Sequence, residues 1–284
     1  MLGNIKRDYD NDMQEKDVEN LHEIHLVVDM DNGKVLDFQG SKRVTYAEIS
    51  SAGQGFTAVI RISGDNGDKI ETPMVIFQNA DRLYPISTKP DNLDRVCYRS
   101  SPKWWMNQNL FVEYFKETRT IKELPEGHTR KLYIDSYAVR NDTPALLEAL
   151  ANINTEFIRF PSNCTHLIQP LGQIILRILK AEIRNRWEKY RADAVAAQSF
   201  TSTGRIPSPS KYFYLKLVRD VVDEINTRIN PEAGMTEARR ALIMCGMIPS
   251  NSGIWKVEQL TPELQHIINK YTAYFNGAVP EETA

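Results

Sequence analysis

The feature that most constrains the fold is a change in the hydrophobic pattern near residue 100. Upstream of this change, apolar and alternating runs occupy residues 24–30, 34–38, 56–62 and 74–77. Such short runs, rich in β-branched residues, are typical of strands. Asn32-Gly33, a strong signal for a two-residue hairpin turn, separates the first two runs. We therefore predict that about the first 80 residues form an antiparallel meander.

Downstream of this change, helical and strand patterns alternate. Apolar residues spaced three and four apart predict helices over residues 105–117 and 167–191. The expected N-cap of a helix between these two is Asp142 or Thr143. Further strands are predicted at residues 131–134 and 157–160. Three antiparallel strands followed by alternating helices and strands is the order of an α/β, RNase H-like mixed sheet with flanking helices.

A stretch of linker composition divides the chain. Nine of the twelve residues at 199–210 are Ser, Thr, Pro or Gly, and helical patterns follow at 212–229, 236–245 and 261–275. We predict four parts: a polar N-terminal stub at 1–20, an RNase H-like core at 21–197, a linker at 198–210, and a small C-terminal helical module at 211–284.

Composition excludes several classes of protein. The chain has 35 basic and 37 acidic residues, so a uniformly basic nucleic-acid binder is excluded. It contains no apolar stretch near the roughly 20 residues of a membrane span, and its polar start does not resemble a secretory signal, so we expect an intracellular protein without a membrane partner. Three widely spaced cysteines favour neither a disulfide framework nor a structural zinc site.

Two aspartates follow predicted strands. Asp31 ends the first strand, and Asp135 ends the first strand after the meander. In the predicted topology both would meet at the carboxyl ends of neighbouring central strands. Carboxylates that face one point repel each other unless a cation lies between them, and Mg²⁺ is the usual cation in phosphoryl-transfer sites. Aspartates are also common in turns, and for either residue taken singly the turn interpretation is favoured.

Longer motifs resemble one family. The segment FPSNCTHLIQPLGQ at 160–173 resembles the sequence that precedes the third catalytic carboxylate in the pogo/Tigger branch of the mariner-type DDE transposases. VDMDNG at 28–33 and LYIDSYAVRN at 132–141 resemble the first and second aspartate motifs of that family. Two further segments of the family are similar to WWMNQNLFVEYF at 104–115 and ALIMCGMIPSNSGIW at 241–255. The resemblance implies an integrase/transposase core, DDE superfamily endonuclease chemistry, and Mg²⁺ or Mn²⁺ as cofactor.

The resemblance also implies the catalytic and metal-ligating positions. They fall on Asp31, Asp135 and Gly172, so the third position has no carboxylate. Glu182 lies about 15 Å further along the predicted helix, too far to replace it. Two further departures from the family pattern are Asn32 and Arg140. Because two-metal catalysis needs every shared ligand, we expect one ion or none to bind.

Other residues of these motifs have structural interpretations. His166 could serve as a ligand or a base, but the resemblance places His166, Gln169 and Pro170 in a structural segment before the helix. The pair Trp104-Trp105 could stack on bases, but a tryptophan at the start of an amphipathic helix favours the hydrophobic core.

One helix face carries clustered positive charge. At 100° per residue, four basic residues fall within about 60° of one another, opposite the apolar stripe: Arg177, Lys180, Arg184 and Arg191. This face is the best candidate for nucleic-acid contact. The alternative is a solvated helix surface, which a charged face often is.

The primary hypothesis is a transposase-derived domain that binds DNA weakly and without sequence preference, and that does not cleave it. Two alternatives remain: an active metal-dependent endonuclease or transposase, and a protein-interaction domain without DNA binding. The resemblance further implies the nucleus, and it leaves a homo-oligomer or a protein partner open. Family members usually carry an N-terminal helix-turn-helix reader, for which the residues before the first predicted strand are too few.

Overall fold

A mixed sheet runs through the centre of the molecule. The computed structural model describes residues 5, 13–27, 55–64, 69–80, 93–117, 120–121, 124, 126–135, 142–161, 164–250 and 253–275. The strands of the sheet are β1 Val18–Val27, β2 Gly55–Ser63, β3 Lys69–Ile70, β4 Met74–Gln78, β5 Cys97–Ser101, β6 Arg130–Ile134 and β7 Thr155–Arg159. Their order across the sheet is β5-β4-β2-β1-β6-β7, with β3 paired to β2.

The sheet combines antiparallel and parallel pairs of strands, and its edge strand β5 runs parallel to β4. β2 runs antiparallel to β1 and β4, whereas β6 runs parallel to β1 and to β7. The antiparallel part confirms the strands predicted near 56–62 and 74–77, and the parallel part confirms those near 131–134 and 157–160. The strand predicted at 34–38 and the Asn32-Gly33 turn lie outside the described residues. The described part confirms the RNase H-like mixed sheet.

Helices cover both faces of this sheet. They are α1 Gln108–Lys116, α2 Pro144–Ala151, α3 Thr165–Ile168, α4 Leu176–Ala196, α5 Lys211–Thr227, α6 Glu237–Met244, α7 Pro262–Lys270 and α8 Thr272–Phe275. Side chains cap several of them: Thr143, predicted as one of two N-cap candidates, accepts a hydrogen bond from the backbone N–H of Leu146. Leu171–Ile175 forms a wider π-type turn between α3 and α4, which we call the π turn.

Alternate residues of β1 face two separate cores. Leu21 packs with α1, α2 and Leu132 on one face. Ile24 packs on the other face with the π turn, α4, α5 and Tyr133. Because both faces are covered, every residue of β2 is buried. The second core is the one that contains the candidate site.

The structure differs from the sequence-based expectations in several places. β1 begins at Val18, inside the predicted polar stub, and the predicted helix over 167–191 is divided into α3, the π turn and α4. A short hairpin of β8 Ile229–Asn230 and β9 Met235–Thr236 was not predicted. Within the predicted linker, Ile206 is buried, and α5 shares the core of the sheet. The four-part division stays a prediction, with the addition that α5 packs directly on the core.

Among the described helices, none combines the length and the apolar character that a bilayer crossing requires.

Candidate functional site

Asp135 directly follows β6, at the carboxyl end of a central strand. Its side chain is half-buried, and it lies where the sequence predicted the second catalytic position. Asp31, the predicted first position, lies outside the described residues. β1 and β6 pair in parallel, with Val18 opposite Lys131 and Asn20 opposite Tyr133. The same register, continued by two residues, brings His22 level with Asp135.

Gly172 is the second residue of the π turn and is exposed. A Cβ at this position would come within 3.1 Å of the side-chain Oε1 of Gln169. A carboxylate at residue 172 would therefore need a small movement of Gln169. In the protein as it stands, residue 172 offers no side-chain atom to the site.

A buried amide connects the parts of the site. The Nδ2 of Asn20 donates to the carbonyl oxygen of Tyr133 at 2.9 Å, and its Oδ1 accepts from the backbone N–H of Leu171 at 3.1 Å. Tyr133 lies two residues before Asp135, and Leu171 lies one residue before Gly172. Asn20 therefore fixes the position of the π turn relative to β1 and β6.

The three residues of the predicted structural motif have different environments. Gln169 and Pro170 are buried next to the π turn, and His166 is exposed on α3. The backbone N–H of Gln169 donates to the carbonyl oxygen of Thr165 at 3.1 Å. The structural role of this motif stays a prediction.

The described residues of the site do not supply the donor set that a pair of Mg²⁺ or Mn²⁺ ions requires. Mg²⁺ requires near-octahedral coordination by oxygen, and two-metal sites share carboxylates between the ions. In the described part of the chain, no group of three or more His, Cys, Asp or Glu side chains is placed to hold a metal. Asp135 supplies one carboxylate to the site, and Gly172 supplies none.

The predicted basic face of α4 has fewer exposed basic residues in the structure than the sequence predicted. Arg177, Lys180 and Arg184 are exposed, as expected for a contact surface. Arg191 is half-buried, and its Nη1 lies 3.2 Å from the Oε2 of Glu188. Three of the four predicted residues therefore remain as an exposed set, which we call the α4 basic face.

Trp105, the second residue of the tryptophan pair, is not buried in a hydrophobic core. This side chain is 51% exposed, and its ring stacks on His25 with 5.2 Å between the centroids. The core interpretation of Trp105 is therefore wrong, because the helix begins three residues later and buries Leu110 and Phe111 instead. Trp187 is buried in the other core, where it stacks on Tyr190.

Beneath the opposite face of the sheet lies a buried charge cluster that the sequence did not reveal. Glu19 of β1 pairs with Arg61 of β2 at 2.5 Å and with Arg130 of β6 at 2.9 Å, and all three side chains are almost fully buried. Burial alone would lower the pKa of Arg61, but the neighbouring charges, Glu19 above all, raise it. Burial also raises the pKa of the adjacent Tyr114 to about 12. The cluster joins three neighbouring strands.

A family model described as DDE superfamily endonuclease matches residues 56–216, more than half of the chain. The chain therefore belongs to the DDE superfamily endonuclease family. The match begins in β2, so it includes Asp135 and Gly172 but not Asp31. The narrower pogo/Tigger assignment stays a prediction.

Two further comparisons give little beyond the family. No curated protein matches the chain. Among solved structures, the chain is similar to the Mos1 transposase paired-end complex with left transposon end, with 9% sequence identity and a TM-score of 0.40. The similarity covers 86% of this chain and 60% of that one, so the chain spans less than two thirds of the length of that transposase chain.

Proposed function

We propose that this chain is a transposase-derived domain that binds DNA through the α4 basic face and does not cleave it. The observation that carries the proposal is the set of three exposed cations on one side of α4, namely Arg177, Lys180 and Arg184. Nuclear localisation belongs to the same proposal, because DNA is the expected partner. Microscopy of a fluorescently tagged chain tests the localisation.

The charges of the α4 basic face are available for phosphates. The ion pairs of α4 within the described chain involve other residues: Arg186 with Glu224 of α5, Glu182 with Arg228, and Arg191 with Glu188. From Arg177 to Arg184 the helix rises about 10 Å, a length over which duplex DNA carries about six phosphates. Three cations on this length match a short stretch of backbone.

The proposed binding is sequence-tolerant and depends on salt. Contacts to phosphates carry no sequence information by themselves. Neutralising three phosphates predicts that the affinity falls about 40-fold between 50 and 200 mM salt. The near-balanced total charge of the chain adds no general attraction for DNA.

The residues of the site support the proposed loss of cleavage. Asp135 keeps its place after β6, but Gly172 has no side chain at the position that the resemblance assigns to the third carboxylate. Without that ligand the second ion loses both a coordinating oxygen and a negative charge. The chain would thus keep the architecture of a DDE endonuclease without its metal-dependent chemistry.

Fluorescence anisotropy with a labelled duplex of arbitrary sequence tests the binding. We expect R177Q/K180Q/R184Q to abolish the affinity, and Lys180→Gln to weaken it and to reduce the salt slope by about one. Lys189→Gln is the matched control, because Lys189 is exposed on another side of the same helix. If the wild-type chain shows no salt-dependent affinity, a protein-interaction domain becomes the better description.

A nicking assay tests the loss of cleavage. Supercoiled plasmid is incubated with the chain and Mg²⁺ or Mn²⁺, and we expect it to remain supercoiled. Nicking by the wild-type chain that disappears in the Asp135→Asn variant would establish an active endonuclease instead.

A further inference from the structure

We infer that His22 occupies the position on β1 that faces Asp135, so that the site lacks a carboxylate at two of its three positions. This inference rests on the proposed function, because it treats the site as that of a former DDE endonuclease, and it deepens the account of why cleavage is lost. The sequence assigned the first position to Asp31, nine residues further along the chain.

The strand register carries the first step. Val18, Glu19 and Asn20 of β1 lie opposite Lys131, Leu132 and Tyr133 of β6. Two residues further on are His22, within β1, and Asp135, the first residue after β6. Neighbouring strands lie about 4.8 Å apart, so the backbones of these two residues are adjacent. β1 continues unbroken through Val27, and no bulge shifts its register against β2 from Glu19 to Val27.

The alternation of side chains carries the second step. Ile24 of β1 and Tyr133 of β6 both face the core that contains the π turn. Side chains two residues apart on a strand lie on the same face. His22 therefore shares a face with Ile24, and Asp135 shares that face with Tyr133. This is also the face on which Asn20 contacts Leu171.

Asn20 provides the third step. It lies close to His22 along β1, and its side chain contacts residues close in sequence to Asp135 and Gly172. Asn20 lies two residues before His22 and donates to the carbonyl oxygen of Tyr133, two residues before Asp135. It accepts from the N–H of Leu171, one residue before Gly172. The three positions His22, Asp135 and Gly172 thus surround one buried carboxamide.

The chemistry of this set opposes Mg²⁺ or Mn²⁺ binding more strongly than the loss at Gly172 alone. Mg²⁺ takes oxygen ligands, and an imidazole supplies a nitrogen without negative charge. Asp135 is then the one carboxylate among the three positions. Consequently Gly172→Asp by itself does not restore a metal site, and two substitutions are needed.

Mn²⁺ binding to the full chain, measured from the electron paramagnetic resonance signal of free Mn²⁺, tests the assignment. We expect H22D/G172D to bind Mn²⁺ at least tenfold more tightly than wild type, G172D or H22D. The uncharged double variant H22N/G172N is the matched control and does not bind. Adding Asp31→Asn to H22D/G172D leaves the affinity unchanged. The assignment is overturned if G172D alone matches the double variant, or if Asp31→Asn abolishes the binding.

A disulfide test reports the geometry directly and does not depend on metal binding. Cysteines at adjacent positions of neighbouring strands are within the Cα separation that a disulfide accepts. We expect H22C/D135C to form the 22–135 disulfide on mild oxidation, detected by mass spectrometry of the linked peptides, and D31C/D135C not to form one. The reverse pattern overturns the inference. A chain that forms the 22–135 disulfide but binds no DNA refutes the proposed function and leaves this inference standing.

Discussion

The side-chain Oδ1 of Asn20 accepts a hydrogen bond from the backbone N–H of Leu171, with 3.1 Å between the two atoms. The same carboxamide donates to the carbonyl oxygen of Tyr133 at 2.9 Å. Asn20 is 0% exposed, so neither group has water as an alternative partner. The position requires one acceptor and one donor on a short side chain, and asparagine supplies both.

We expect Asn20→Ala to lower the free energy of unfolding by about 2 to 4 kcal/mol, because it leaves buried backbone groups without their partner. Urea denaturation measures the change. Asn109→Ala is the control, since Asn109 is exposed on α1 and its replacement should stay within about 0.5 kcal/mol. A loss below 1 kcal/mol at residue 20 would show that the π turn is held by other contacts.

The buried charge cluster makes a second prediction. Glu19→Gln keeps the shape of the side chain but removes the carboxylate that pairs with the buried guanidinium groups of Arg61 and Arg130. We expect a loss of about 3 to 5 kcal/mol in urea denaturation. The same substitution at Glu156, which is paired with Lys131 on the surface, should cost less than about 1 kcal/mol. Equal effects at the two sites would contradict the importance of the buried cluster.

Stability should fall in alkaline solution because of Tyr114. Its pKa rises on burial to about 12 from the ordinary value of 10.0, so the folded chain holds the phenolic proton more tightly than the unfolded chain. The contribution is complete below pH 10 and is lost as the pH rises to about 12, at about 1.4 kcal/mol per unit. Urea denaturation of Tyr114→Phe should therefore show a flatter decline above pH 10 than wild type. Replacing the more exposed Tyr212 by Phe should leave the wild-type slope unchanged.

The two tryptophans Trp105 and Trp187 give a matched comparison. Trp187 is 0% exposed and its ring lies 6.0 Å from that of Tyr214 on α5, so Trp187→Ala should cost about 3 to 5 kcal/mol. Trp105→Ala removes a side chain that is 51% exposed and should cost less than about 1 kcal/mol. Chemical denaturation of both variants checks the difference. A large loss at Trp105 would restore it as a core anchor.

The same Trp187 contact bears on the division of the chain. Because it joins α4 to α5 across the predicted linker, we expect the sheet and α5 to unfold in one transition. Differential scanning calorimetry of the whole chain measures this. Two separate transitions, with Trp187→Ala lowering only one of them, would favour an independent C-terminal module.

The sequence predicted the apolar strands well and the start of β1 poorly. β2 and β4 were recognisable because most of their residues are apolar, as expected where both faces of the sheet are covered. The first residues of β1 include Glu19, Asn20 and His22, which resemble a polar surface segment. Their burial depends on partners more than 40 residues away, such as Arg61 for Glu19 and Leu171 for Asn20. A local pattern contains no information about those partners.

The candidate site was predictable only in part, because a local pattern reveals an apolar strand but not the distant partners of a polar one. Asp135 directly follows the apolar run Leu132, Tyr133 and Ile134, so its place at the strand end was predicted from the sequence. The start of β1 was predicted six residues late because its first residues are polar, and the assignment of the first position to Asp31 stays a prediction. The π turn adds a second difficulty: the sequence predicted one continuous helix over 167–191, and the spacing of apolar residues does not reveal a turn wider than an α-helical turn within it.

The central place of β1 also has a consequence for synthesis of the chain. β1 precedes both of its neighbours along the chain: its antiparallel neighbour β2 follows first, but Tyr133 of β6, which Asn20 contacts, follows 113 residues after Asn20. At ordinary rates of translation this interval lasts on the order of 6 to 20 s. During that time one edge of the nascent strand, with its buried polar side chains, has no partner in the chain. Productive folding should therefore begin late, and holdase chaperones should favour its yield in the cell.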